Sequence, residues 1–474
     1  MFARSENLIL RLPDRAGVAS KVECGPTLRE VSGKRASYLA SWDGRQVFVK
    51  LFFHRTRARQ HWQREKAGIE ILASRALRTP KLLYAGRLPE PQAYVLITEA
   101  LHGALTLAQA WARTPSIDQK LELLRRAAAA VADQHQAAVL QSDLHADNLL
   151  IAQNGQIYSI DTSGVRAQGA PIARNRSLAS LGLLLAQVEP GFDAHAATVL
   201  AAYDGTRNWQ THSSDLQLLC VHIDRAREQR KKQFMKKIFR ECTAFARRAR
   251  ADTKLIYDKH YGTEEFLELY KDPERYFDEK PGRYLKKGNT CTIVRAQIDG
   301  AEVVLKRYNI KGAWHGVKRA LRRTRASISW QNAQLLRFYG IDTPQPIAFI
   351  ERGFGRGRHA SYFISEYVSG RTCSDYFRDA TVSSEDKRRA GKRIGEMLTT
   401  LARFRIRHGD MKATNIIIGQ NRTYLVDLDG MREYRTANAY RRGLSRDLDR
   451  FRRNWQAEQW QYFEETVARL RSGA

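Results

Sequence analysis

The sequence predicts an α+β protein made of two tandem units. Each unit has a small β-rich lobe followed by a larger α-helical lobe, and a basic helix joins them. Three observations predict this. The chain has 474 residues, enough for two to four domains with sizeable cores. Five features recur in the same order in each half. In each half strand-like stretches come first and helical ones follow, as in Ile117–Gln136 and Glu385–Arg403.

The recurring features run as follows. GRQVFVK ends at Lys50 and GAEVVLK at Lys306, each a glycine turn leading into an apolar strand that ends in lysine. LRTPKLLYAG and IDTPQPIAFI each place a Thr-Pro loop before a strand. YVLITEALHG and YFISEYVSG are apolar strands that reach Glu99 and Glu366. QSDLHADNLLI and RHGDMKATNIII carry a D-x-x-x-x-N loop into another apolar strand. IYSIDTSG and TYLVDLDG end strands at Asp161 and Asp427. Glu99 to Asp143 and Glu366 to Asp410 are both 44 residues. Asp143 to Asn148 and Asp410 to Asn415 are both 5, and the steps on to the last aspartates are 13 and 12.

These residue types suit phosphoryl transfer. That reaction needs a lysine on the triphosphate, oxygen ligands for Mg2+ and a carboxylate beside the attacking hydroxyl. In the second half Lys306 is the candidate lysine, and Asp410 the carboxylate that takes the hydroxyl proton. Lys412 faces the moving phosphate, and Asn415 and Asp427 hold the metal. The order of these residues resembles that of protein kinases, and the resemblance implies that Glu366 sits where that fold links its lobes and backbone groups meet adenine. In the first half Lys50, Glu99, Asp143, Asn148 and Asp161 repeat the set. Glu65, 15 residues after Lys50 in the helical QREKAGIEIL, is placed to orient that lysine. Taken singly, each motif is more often a solvated strand end or a turn. Two ordered sets with shared spacing favour a kinase-like fold, and whether each half is catalytic is a separate question, because fold does not establish activity.

His408-Gly409-Asp410-Met411-Lys412 resembles the catalytic loop of protein kinases. Both halves resemble the lipopolysaccharide kinase family (the Kdo and core-heptose kinase group), which has a protein-kinase-like bilobal fold. The likeness is strongest over Tyr284–Asn309, Ser329–Glu351 and Arg407–Ile418. It implies ATP and Mg2+ as cofactors and phosphorylation of a sugar hydroxyl, heptose or Kdo, in the lipopolysaccharide inner core. It also implies a cytoplasmic protein, peripheral at the inner face of a Gram-negative inner membrane. Departures from the pattern divide the halves. Neither has a full glycine-rich loop: Gly33 and Gly288 stand alone before their lysines. The second half has no acid between Lys306 and Asp342, with Ser329 near the place of Glu65. The first has Gln141 in place of the loop histidine. The histidine-bearing loop makes the second half the better-matched catalytic unit, with the first active or scaffolding.

The formal net charge of +30 points to an anionic partner. Basic residues cluster at Arg225–Lys237, Lys311–Arg325 and Arg432–Arg453. A phosphorylated glycolipid in an anionic membrane matches that charge, whereas no zinc-finger, RNP-like or helix-turn-helix pattern supports nucleic acid. Five scattered cysteines without a CxxC pair argue against a zinc site or a disulfide framework. No stretch has the apolar length of a membrane span or a secretory signal. His222–Lys254 reads as one long basic helix with Phe234, Ile238, Cys242 and Phe245 at helical spacing. The expected domains are therefore residues 1–250 and 251–474. The rival readings are a tandem pseudokinase scaffold for lipopolysaccharide-assembly enzymes, a protein kinase and a small-molecule kinase. The sequence sets no oligomeric state.

Overall fold

Val47, Val49 and Leu51 are buried on one face of a strand whose other face carries Phe48 and Lys50. This period of two places an apolar core behind the sheet and leaves the lysine on the open side. The computed structural model describes residues 8–12, 20–31, 33–53, 57–250, 253–277, 283–309, 323–353 and 360–473. The chain is mixed α/β and divides into two compact units, Met1–Glu228 and Gln229–Ala474.

In the first unit six antiparallel strands come first: β1 (Leu8–Leu12), β2 (Ser20–Val31), β3 (Arg35–Trp42), β4 (Arg45–Phe52), β5 (Leu82–Leu88) and β6 (Ala93–Glu99). Their spatial order is β1-β2-β3-β4-β6-β5. Leu10, Val22, Val49, Leu51, Val95 and Ile97 form the core on one side. The helix α1 (Ala58–Ser74) follows β4 and buries Glu65, Gly68, Ile69 and Leu72. A helical part follows, with α2 (Leu107–Arg113), α3 (Ile117–Gln136), α4 (Arg174–Leu185), α5 (Ala196–Arg207) and α6 (Ser213–Lys237). α3 starts on a Ser116 cap whose hydroxyl accepts from Gln119 N, and it buries Leu124, Ala127, Ala128 and Val131. These pack with Leu178, Leu181, Val199 and Tyr203 into a second core.

The second unit repeats the order of sheet before helices. Its largest sheet has seven strands in the order Phe245–Ala249, Thr253–Asp258, Pro346–Arg352, Ala360–Glu366, Ala301–Tyr308, Cys291–Ile298 and Tyr284–Lys287. The helix Arg325–Phe338 packs beside the sheet, and Ser384–Arg403 and Ala437–Arg452 lead the helical part.

The basic connector differs from expectation. Helix α6 ends at Lys237, and Phe245–Ala249 and Thr253–Asp258 pair as antiparallel strands. Cys242 N donates to Phe245 O at 2.9 Å, which turns the chain. The β-branched and aromatic run Thr253–Tyr257 then favours the sheet. Phe234, Ile238 and Phe245 do meet, around Trp330 and Phe349, so their spacing reflects a shared core rather than one helix. The division into units falls inside α6, where the sequence placed it at 250/251. Within α6, Arg227 is buried in a two-bond pair with Asp193, at 2.6 and 2.8 Å. Lys231 lies 2.5 Å from Glu433. Most of the basic stretch Lys311–Arg325, positions 311–322, lies outside the described residues. No helix among the described residues is long and apolar enough to cross a membrane.

Candidate functional site

Lys50 stands on the open face of β4. Across the sheet it is in register with Ser37 on one side and Leu96 on the other. Its ammonium lies 2.7 Å from Glu65 Oε1 on α1 and 2.7 Å from Asp161 Oδ1, two residues past the short strand Ile157–Ser159. Burial pushes the Glu65 carboxyl up, and Lys50 only partly opposes it. Burial would also raise Asp161, but Lys50, then Arg35 and Arg29, hold it below the usual carboxylate range. A carboxylate pair on one lysine fixes the ammonium in one place, which a floppy strand-end lysine lacks.

These groups line a cavity of ≈ 370 Å³. Its lining includes the apolar side chains of Leu28, Leu39, Phe48, Leu101, Leu150 and Ile160 and the polar or charged ones of Lys50, Arg35, Asn148 and Asp161. A mostly apolar wall with a few charged groups suits a planar base that carries phosphates.

The D-x-x-x-x-N loops have one geometry in both units. Asn148 Nδ2 donates to Asp143 O at 2.9 Å, and Asn415 Nδ2 to Asp410 O at 2.8 Å. Ile160 N donates to Asn148 O and Val426 N to Asn415 O, both at 2.9 Å. With its amide nitrogen so engaged, each asparagine keeps its side-chain oxygen for a hard cation, as Mg2+ requires. Asp161 and Asp427 both sit in the left-handed region, at φ 54° and 64°. The Thr-Pro loops match too: Thr79 Oγ1 donates to Ser159 O at 3.0 Å and Thr343 Oγ1 to Leu425 O at 2.8 Å.

The units differ around their lysines. Lys306 is ion-paired with Asp427 and lies 3.8 Å from Asp429. Burial alone would lower its pKa, but Tyr308 and the two aspartates raise it. Asp427 is held low by Lys306 against its burial, whereas burial keeps Asp429 raised. Arg325 also pairs with Asp429. Ser329 lies 2.6 Å from the Tyr308 hydroxyl, so it does not stand in for Glu65 at the lysine.

The catalytic-loop aspartates also differ. Asp143 is exposed, and no side-chain partner is present for it among the described residues. Asp410 lies 2.5 Å from Arg450 Nε and 3.0 Å from Lys412 Nζ. His408 Nε2 donates to Val426 O at 2.9 Å, while the buried Gln141 amide in its place has no hydrogen-bond partner among the described residues.

The structure thus brings Lys50, Glu65, Asn148 and Asp161 to one cavity. Glu99 also lines it, but its carboxylate accepts from Lys81 N at 2.9 Å. Glu366 accepts a hydrogen bond from the Tyr261 hydroxyl. Both glutamates therefore act as local braces through their side chains. Sequence reasoning missed Arg29, Arg35, Asp429 and Arg450. Asp429 is legible as the second acid of Asp-Leu-Asp, and the two arginines as basic positions flanking the lone Gly33. Arg450 carries no local signal, because only the fold of Ala437–Arg452 brings it to the loop.

No curated protein matches the chain. The model of the family described as "Lipopolysaccharide kinase (Kdo/WaaP) family" matches residues 36–189 and 269–470. The two segments cover well over half of the sequence, one in each half, and each contains its lysine, loop and final aspartate. On that match, joined to the duplicated site geometry, the chain belongs to the lipopolysaccharide kinase (Kdo/WaaP) family.

Proposed function

We propose that this kinase transfers the γ-phosphoryl group of ATP to a heptose or Kdo hydroxyl of the lipopolysaccharide inner core. It does so with two tandem protein-kinase-like bilobal domains. The observation that carries this reading is Lys50, held between Glu65 and Asp161 on the wall of the cavity. Lys50 is the phosphate-binding cation, and Glu65 sets its position. Asp143 is open to a substrate hydroxyl and accepts its proton as the sugar oxygen bonds to phosphorus and ADP departs. Asn148 and Asp161 would hold Mg2+, which neutralises charge on the transferring phosphate when bound.

The geometry favours the first unit for this step, although the loop of the second matches the sequence pattern better. Lys306 lacks a helix-borne glutamate, and the Asp410 carboxylate is flanked by two cations. That observation supports a second reading for the second unit alone: it binds the glycolipid or assembly partners and turns over slowly. The glycolipid brings the protein to the anionic cytoplasmic face of the inner membrane as a peripheral protein.

Mass spectrometry of core oligosaccharide from cells with and without the protein tests the reaction, with loss of one phosphate expected. Purified full-length variants test the assignment. Asp143→Asn is expected to lower ATP-dependent phosphate incorporation at least ~100-fold, the usual scale of general-base loss. Asp410→Asn is expected to cost less. The reverse ranking would move catalysis to the second unit.

A further inference from the structure

The first unit carries two cations at its cavity that the roles above do not use. Arg29, Ser37, Lys50 and Leu96 form one cross-strand row through β2, β3, β4 and β6. Arg35 is two residues before Ser37 and so lies on the same face. Arg29, Arg35 and Lys50 all line the cavity. Lys50 already has two carboxylates, but the arginines do not. The nearest carboxylate to Arg35 is Asp161 at 3.9 Å, and Arg35 is 36% exposed. The Arg29 side chain has no hydrogen bond or ion pair among the described residues, though it is near enough to Asp161 and Asp147 to help hold both low.

The turn between β2 and β3 lacks the run of glycines with which a glycine-rich loop brings its backbone amides to phosphates. It has the single Gly33, at φ +65°, where the turn itself needs glycine. Two guanidinium groups supply instead what that loop lacks. Each presents a planar fork of donors that matches phosphate oxygens. The second unit keeps only one cation at these two positions, a lysine in place of Arg29, and no guanidinium. Its matching row is Lys286, Ile293, Lys306 and Phe363, and Cys291 stands where Arg35 does.

We infer that Arg29 and Arg35, on the hairpin of β2 and β3, clamp the β- and γ-phosphates of the nucleotide in the first unit, in place of a glycine-rich loop. This rests on the nucleotide reading of the cavity and names the residues that select a triphosphate there.

Calorimetric titration of the full chain with ATP, ADP and adenosine, in Mg2+, tests it. Lys50→Met in parallel identifies the binding that belongs to this cavity. Arg29→Gln with Arg35→Gln is expected to weaken ATP binding ~10- to 100-fold, the worth of lost hydrogen bonds to a charged group. Adenosine binding is expected to stay within about 2-fold, so the preference for ATP over adenosine collapses. Arg→Lys at both sites is expected to recover part of the loss. Unchanged ATP affinity in the double variant overturns the clamp, as does an equal loss for ATP and adenosine. A wild-type chain that binds no nucleotide overturns the nucleotide reading itself, and the clamp with it.

Discussion

Glu65 is nine-tenths or more hidden from water and touches the one cation that its burial requires. Removing Lys50 would leave the Glu65 charge buried without its ion pair, at a cost of about 3–5 kcal/mol, whereas Lys50 keeps Asp161 at 2.7 Å when Glu65 is lost. Glu65→Gln keeps a hydrogen-bond acceptor for Lys50 but removes its charge. It is expected to raise the KM for ATP ~10-fold while leaving the fold intact, because ~1.4 kcal/mol of lysine positioning is at stake. Glu65→Ala is expected to lose more and also to lower thermal stability. Steady-state kinetics and a melting curve separate the two effects. This glutamate was legible from its place in a helical stretch shortly after Lys50. The opposite holds for Lys306, whose second partner is Asp429, two residues past the expected metal ligand. The Asp-Leu-Asp run shows a second acid, but only the turn after Asp427 reveals that this acid, and not a helix-borne glutamate, approaches the lysine.

Helix α1 depends on a contact that a side chain would block. A Cβ on Gly68 would press into the backbone carbonyl of Thr162, and Thr162 Oγ1 donates to Glu65 O at 2.7 Å. Gly68→Ala is therefore expected to push α1 off the turn after Asp161 and cost about 1–3 kcal/mol, despite alanine's better helix propensity. Loss of nucleotide affinity together with a lower melting temperature would show it. A gain in stability would mean the helix yields at no cost. Helices α3 and α5 carry a second test. His135 is buried against Tyr203, with Nδ1 2.7 Å from the hydroxyl, and burial pushes its pKa down to about 3, aided by Arg207 and Arg176. The unfolded chain binds that proton below about pH 6.5 and the folded chain does not. Stability is thus full above pH 6.5 and falls with acid, by about 2 kcal/mol at pH 5 from this group. His135→Gln is expected to flatten that slope in denaturant melts. Helices such as α3 were readable from cap and apolar spacing. The end of α6 was not, because Phe245 keeps helical spacing to Ile238 while its backbone pairs with Asp258.

At the scale of the whole molecule the chain carries an excess of thirty positive charges, and not all of them are free to meet an anionic partner. Arg227 and Lys231 are buried in ion pairs, each within its own unit, so the middle of α6 uses these charges internally. Lys236 and Lys237 in its last turn and Arg240 just beyond are exposed, as are Arg247 and Arg248 on the strand that follows and Arg250 just past it. A cavity of ≈ 450 Å³ opens among Arg247, Arg248, Arg250 and Lys271. Such residues are worth about 1 kcal/mol each beside anionic lipid, and their attraction is screened beyond ~8 Å at physiological salt. The chain is therefore expected to sediment with vesicles containing anionic lipid at low salt, not with neutral ones, and to be released as salt rises. Glutamate at Lys236, Lys237 and Arg240 together is expected to abolish most of that binding. Each change reverses a charge, so about 1 kcal/mol is lost twice at every site. Arg227→Gln is expected to lower the melting temperature instead, because it leaves Asp193 buried without its guanidinium. Equal sedimentation with neutral and anionic vesicles would rule out an electrostatic membrane face. The +30 would then have to be assigned to the phosphorylated sugar alone.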